Sequence, residues 1–354
     1  MFEWDLLLGA VLISFLGTHV VIRLAPLMGL LHTPNDRSSH SIVVPHGGGL
    51  GIVVAGSIAG CWLMAEAQEI WIVGLALLLG FVGLADDIRH LSAKMRFALQ
   101  GSVVVILLWL MGPLPEIVFN FPQMGGVVLI GGWLLTGLLF WTGLWWLNLF
   151  NFMDGIDGIA AMQALSMLSA AAVLSFIAQP DVIHSAVWWY MLYVASATLG
   201  FLLLNWPPAK VFMGDVGSLW LGFSIFALAL LSIQENWLNY GVWMILAALF
   251  VSDATVTLLT RMMCGERWYE AHRSHAYQRL SRHFAPLGMD ARQSQSLGHR
   301  RVTLGALLIN LFWLSPLALA AVLWPQWIWA LVLIAYLPLI AVALLAGSGK
   351  PDYA

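Results

Sequence analysis

The chain has 354 residues, 61% of them hydrophobic and 9% charged, with a formal net charge of −3 and a mean hydropathy of +0.87. Soluble domains carry about 25% charged residues, so a water-soluble surface cannot be built from this inventory. Barrel-type alternation of apolar and polar residues is absent, which excludes an outer-membrane barrel.

Apolar runs of about 20 residues match the hydrocarbon core of a bilayer. Eleven occur, at 5–27, 47–65, 68–85, 97–112, 127–147, 158–178, 186–204, 217–233, 237–258, 302–322 and 325–346. The expected fold is an all-α polytopic membrane bundle of about eleven transmembrane helices. One domain is expected over residues 1–354, with a long cytoplasmic loop at about 259–301. Glu3 and Asp5 precede the first run, which lacks a small-residue cleavage site, so it reads as an anchor rather than a removable signal peptide.

Fourteen of the fifteen Lys and Arg residues fall in alternate gaps. These are Arg37, Arg89, Lys94, Arg96, Lys210, Arg261, Arg267, Arg273, Arg279, Arg282, Arg292, Arg300, Arg301 and Lys350; Arg23 lies near the same end of the first run. The other gaps carry Glu66, Glu69, Glu116, Asp181 and Glu235 and no base. Bases mark the cytoplasmic side, which puts the amino terminus outside and the carboxyl terminus in the cytoplasm. The nineteen Trp residues suit interfacial belts, and Cys61 and Cys264 suggest no disulfide.

The base-rich side also gathers acids. Asp86-Asp87 ends the third run, with Lys94 and Arg96 close behind. Taken alone, this is equally a helix-end ion cluster. Next comes Asn148-Leu-Phe-Asn151-Phe-Met-Asp154-Gly-Ile-Asp157-Gly. On a continuous helix Asn151, Asp154 and Asp157 would share roughly 120° of one face, more oxygen than capping needs. Such hard ligands suit Mg²⁺, which keeps several waters and shares itself with substrate phosphates. Asp215, in Phe212-Met-Gly-Asp215-Val-Gly-Ser218, opens the eighth run and could be no more than an N-cap. Asp253 lies inside the ninth run, where an acid is costly unless a base of the loop meets it. His272-Arg273-Ser274-His275 sits in a loop with Arg261, Arg267 and Arg279, a set suited to a diphosphate. The set points to a divalent metal, a polyanionic cytosolic substrate and a second substrate in the bilayer. Phosphoryl-type transfer onto a lipid phosphate meets all three requirements.

In this order and position the motifs resemble the polyprenyl-phosphate N-acetylhexosamine-1-phosphate transferase family over nearly the whole chain. The matching segments are Pro45-His-Gly-Gly-Gly, Asp86-Asp87, Asn148-x-x-Asn151-x-x-Asp154-Gly-x-Asp157-Gly, Phe212-Met-Gly-Asp215-x-Gly-Ser218 and the His loop. The resemblance implies Mg²⁺ (with Mn²⁺ as a substitute), a UDP-N-acetylhexosamine donor and undecaprenyl phosphate as acceptor. It implies that Asn151 and Asp215 hold the metal. Asp86, Asp87, Asp154, Asp157 and Lys94 would carry the chemistry, and Asn148, Phe212, Asp253, Arg267, His272, Arg273 and His275 would bind substrate. Several bacterial relatives carry a His-x-His-His-type run where this chain reads His272-Arg273-Ser274-His275-Ala276. That departure is closer to the branch that initiates O-antigen lipopolysaccharide, where other N-acetylated sugars, including 6-deoxy ones, are used. The implied location is a bacterial inner membrane, with the active site facing the cytoplasm. The lipid bilayer and a second copy of the chain in a homodimer are further expected partners; nucleic acid is not. The alternative from another class is an ion-coupled carrier, although carriers place their coupling residues near the midplane.

Overall fold

The computed structural model describes residues 2–32, 44–64, 66–121, 126–267 and 272–351. Arg37 and the Trp268–Ala271 part of the basic loop lie outside the described residues. Helices follow the apolar runs: α1 (Phe2–Met28), α2 (Leu50–Leu63), α3 (Ala67–Arg89), α4 (Ala93–Met111), α5 (Gly132–Phe152), α6 (Ile159–Ala178) and α7 (Ala186–Asn205). After them come α8 (Gly214–Gln234), α9 (Tyr240–Met263), α10 (Ala276–His283), α11 (Ala291–Ile309), α12 (Ser315–Leu323) and α13 (Ile328–Leu345). The expected all-α membrane bundle is therefore present. Among the described residues, ten helices are long and apolar enough to cross a bilayer. The run at 47–65 differs, since α2 has only 14 residues and spans about 21 Å.

With the short α2 counted, the helices from α1 to α9 alternate in direction. At one end the starts of α1 and α7 meet through Trp4 and Trp189, Gln234 of α8 donates to the Met111 carbonyl of α4, and Tyr240 of α9 donates to Pro115. At the other end lie the finish of α3, the starts of α4 and α8, and the finishes of α5, α9 and α13. α8 is the axial element, with every residue of its apolar stretch buried, and it packs along α3 and α5.

Three boundaries differ from the sequence expectation. Residues 126–130 are not helical: Val127-Val-Leu-Ile130 forms strand β4 (Gly126–Ile130) against β3 (Ile117–Phe121). A β-branched run between glycines favours the hairpin over a helix start. Two further strands, β1 (Leu31–His32) and β2 (Val44–Pro45), precede α2. Finally, α11, a π-helical turn at Asn310–Leu314 and α12 make one 33-residue rod, Ala291–Leu323. At about 50 Å the rod exceeds a bilayer core, so its Arg-rich start projects beyond it and the expected loop at 259–301 is largely helical. Within that segment α10 is a short helix of eight residues.

Candidate active site

The carboxylates converge because helix ends do. Gly83 lets α3 lie against α8, since a Cβ there would sit 2.3 Å from the Asp215 carbonyl oxygen. One turn later, Asp87 reaches across and accepts from the backbone N–H groups of Asp215 (2.9 Å) and Val216 (3.1 Å). The first N–H groups of a helix have no partner of their own, so Asp87 caps α8 from another element. Gly214 permits this approach: its φ is +77°, and a Cβ would lie 2.7 Å from Asp87 Oδ2. Strand β2 and the glycines after it pin the same turn, where Phe212 N–H donates to Pro45 and Gly48 N–H donates to Phe212.

Asp86 points the other way. It accepts from Leu91 N–H and from Arg96 Nη1, both at 2.6 Å, and is 5% exposed. The same Arg96 nitrogen lies 3.3 Å from Asp215 Oδ2. Asp215 Oδ1 in turn accepts from Asn151 Nδ2 at 2.8 Å, and that amide also donates to Ser218 at 2.9 Å. Asp86, Arg96, Asp215, Asn151 and Ser218 thus form one continuous polar chain across α3, α4, α5 and α8. Lys94 is exposed, and the base that meets the acids is Arg96, two residues on.

Asn151, Asp154 and Asp157 do not share a helical face, which corrects the sequence reading. α5 stops at Phe152, because Gly155 and Gly158 interrupt it, and residues 153–158 form a turn. Asn148 faces α4, donating to Gln100 Oε1 at 2.9 Å. Asp157 turns inward: it accepts from Ala209 N–H at 3.0 Å and pairs with His299 of α11 at 3.2 Å. Thr303 donates to its carbonyl. Asp154 stays beside the cluster. Burial, together with the charges of Asp215, Asp87 and Asp157, pushes its carboxyl well above the usual carboxylate range.

The His loop arrives through Asp253. Its oxygens accept from Ala276 N–H (2.8 Å), Tyr277 N–H (2.9 Å) and Thr257 Oγ1 (3.1 Å), with His275 Nδ1 at 3.4 Å. An acid inside a span is thereby satisfied by the start of α10. Tyr277 donates its hydroxyl proton to the Phe152 carbonyl at 2.9 Å, which lays α10 on the 152–155 turn. The His272 and His275 rings stack with centroids 4.9 Å apart. Arg273 and Arg267 are exposed, and the Arg267 carbonyl accepts from buried Arg261. All the motifs except Lys94 and the exposed arginines therefore pack into one end of the bundle. Sequence reasoning missed Gln100, His299 and Tyr277. Gln100 was detectable as a lone amide in an apolar run; His299 was hidden among the loop's polar residues.

A model of glycosyl transferase family 4 matches residues 70–233. A Bacillus subtilis (strain 168) protein named "Probable undecaprenyl-phosphate N-acetylglucosaminyl 1-phosphate transferase" is 30% identical over 334 residues, covering 92% of this chain and 87% of its own. A phospho-N-acetylmuramoyl-pentapeptide-transferase of Streptococcus pneumoniae serotype 19F is 27% identical over 71% of this chain and 80% of its own. The chain belongs to glycosyl transferase family 4.

As a phosphosugar transferase of the polyprenyl-phosphate hexosamine-1-phosphate type, this family-4 transferase keeps its carboxylate cluster inside the matched segment. The His loop lies beyond that segment. Among the described residues, no three His, Cys, Asp or Glu side chains are arranged as a ready-made metal cage. The donor set nonetheless fits a cation that takes few protein ligands. Asp86 and Asp215 share the Arg96 guanidinium, Asp87 and Asp154 lie beside Asp215, and Asn151 spends both amide hydrogens on Asp215 and Ser218, which leaves its side-chain oxygen as a further donor to a cation. Mg²⁺ is held in this manner, by one or two carboxylates plus substrate phosphates.

Proposed function

We propose that the transferase moves an N-acetylhexosamine 1-phosphate from a UDP-sugar to undecaprenyl phosphate, releasing UMP and leaving undecaprenyl-diphospho-sugar. The observation that supports this best is the polar chain from Asp86 to Ser218 at a helix-end surface, with the His loop laid beside it. Asn151 and Asp215 would hold Mg²⁺ (or Mn²⁺), which neutralises charge on the donor diphosphate when bound. The lipid phosphate oxygen attacks the donor's β-phosphorus, and the bond to the UMP oxygen breaks. A phosphate monoester has a second pKa of about 6, so the nucleophile is largely dianionic at neutral pH and no general base is required. Arg96 places positive charge where the lipid phosphate enters, and Asp86 and Asp215 fix that guanidinium. His272, His275 and the loop arginines face the nucleotide side.

The site end is assigned to the cytoplasm of a bacterial inner membrane because it carries the bases. The B. subtilis relative's name puts UDP-N-acetylglucosamine first among donors to try. The His272-Arg273-Ser274-His275 run supports O-antigen initiation rather than the pentapeptide reaction named for the pneumococcal relative. The carrier reading fits less well, because its coupling acids belong near the midplane and these lie at helix ends.

The test is UMP release in detergent with Mg²⁺, undecaprenyl phosphate and a panel of UDP-sugars. Asp215→Asn and Asn151→Ala are each expected to lose about 10²–10³ in kcat, the scale of one electrostatic stabiliser. Release surviving in both variants would reject the metal assignment. Absence of sugar-dependent release in wild type would reject the transferase chemistry proposed here.

A further inference from the structure

The segment after α13 does more than end a helix. Gly347, with φ +73°, turns the chain: Ser348 N–H donates to the Ala343 carbonyl and Gly347 N–H to Leu344. This is the two-bond glycine motif that closes many helices, so Gly347 is fully explained as a cap. Gly349 is not. Its φ is +77°, and it lies flat on the last turns of α9, where a Cβ would meet the Thr257 carbonyl oxygen at 2.5 Å and Thr260 Cβ at 2.8 Å. From there its N–H donates to the Ser274 carbonyl at 2.9 Å. Arg279 of α10 donates to the carbonyl of Lys350. Ser274 and Ser348 are both buried, at 6% and 1% exposure.

Ser274 precedes His275, whose ring pairs with Asp253 and whose following residues are capped by it. The His loop is therefore held at two points: Asp253 accepts from the residues after His275, and Gly349 donates to the residue before it. A loop hydrogen-bonded at one end only would sample more shapes, and each costs affinity for a ligand that needs one.

We propose that Gly347-Ser348-Gly349-Lys350 is a latch that positions the His272–His275 loop for the sugar nucleotide, with Gly349 and Ser274 as its contact. This rests on the reading that the loop receives the donor. Its contacts are with α9, α10 and the His loop, so its effect is expected on donor recognition.

The experiment uses the full chain in detergent and three variants: Gly349→Val, truncation after Ser348, and His275→Asn. Gly305→Ala, at a site in α11 with open space around it, serves as control. Two quantities are read: the rate of tryptic cleavage at Arg267 and Arg273, and the separate KM values for UDP-N-acetylglucosamine and undecaprenyl phosphate. In both latch variants cleavage is expected to quicken and donor KM to rise about tenfold, the order set by losing one well-placed hydrogen bond. Acceptor KM is expected to stay within about twofold, as is everything in Gly305→Ala. The truncation adds no bulk, so an intact acceptor KM there certifies the fold even if Gly349→Val does not assemble. Donor KM unmoved in both latch variants but raised in His275→Asn overturns the latch and leaves the donor-loop reading standing. Donor KM unmoved in all three overturns that reading and the latch with it. An equal rise in both KM values marks general loosening and also overturns the proposal.

Discussion

Arg96 donates to Asp86 at 2.6 Å and lies 3.3 Å from Asp215, so removing its guanidinium leaves two neighbouring carboxylates without their cation. Hydrogen bonds to charged groups contribute about 1.5–3 kcal/mol, or roughly 10–100-fold in an equilibrium. Arg96→Ala is therefore expected to cut turnover at least about tenfold more than Lys94→Ala. Equal losses in the two variants would show that the exposed lysine, not the bonded arginine, serves the lipid phosphate. His272 offers a pH signature. Burial, aided by His275 and Arg261, pulls its imidazole down to about 3, against 6.5 for the free side chain. Between those values the unfolded chain binds a proton that the folded one refuses, so this residue's contribution to stability is lost as pH falls through that window. His272→Gln should consequently narrow the difference in thermal midpoint between pH 7 and pH 5. A variant whose midpoint drops by as much as wild type would contradict the assignment. At this scale the sequence pointed to the acids that gather at one end but named Lys94 beside them, where the structure brings Arg96. Two residues of helix rotate a side chain by about 200°, and the start of α4 decides which one faces inward.

Helix–helix approach is what turns a list of acids into a site. Gly83 and Gly74 lie in the same helix, yet a Cβ at Gly83 would press into the Asp215 carbonyl while Gly74 has open space. Gly83→Ala is expected to cost about 1–3 kcal/mol by overpacking and to lower activity with stability, because it levers Asp87 away from the start of α8. Gly74→Ala should leave activity unchanged and gain a little from helix propensity. The two are compared by thermal midpoint and UMP release, and a harmless Gly83→Ala would refute the close-packing account. Element ends were the weak point of the sequence reading. Asn151, Asp154 and Asp157 are spaced as on a helix, but α5 stops at Phe152, and that break sends Asp157 to Ala209 and His299 while Asp154 stays with the cluster. The 127–147 run likewise conceals a hairpin, since pairing with Ile117–Phe121 is a contact between segments and leaves no mark of its own in either.

Across the whole molecule, chain direction alternates so that every candidate group sits at one end, with Glu116 and the β3–β4 hairpin at the other. Cys264 follows α9 at the site end and is exposed. With Cys61→Ala as background, Cys264 should react with an impermeant maleimide only after the membrane is opened, and Glu116→Cys should react in intact spheroplasts. Reversed labelling would invert the orientation drawn from the bases. The short α2, about 21 Å of helix, packs chiefly against α1 and α7 and is too short to cross a bilayer core as a helix by itself.

Taken by itself, the sequence determined that this is a helical membrane protein, roughly how many times it crosses, and that its acids and bases gather at shared gaps. Apolar length and charge are local properties, and a bilayer sorts them without reference to the rest of the fold. Only the tertiary structure decided which acids meet: Asp87 with the start of α8, Asp86 with Arg96, Asp253 with the start of α10, and Asp157 with His299. Those pairings depend on where each helix stops and how closely its neighbours approach. Both are set by packing between segments far apart along the chain.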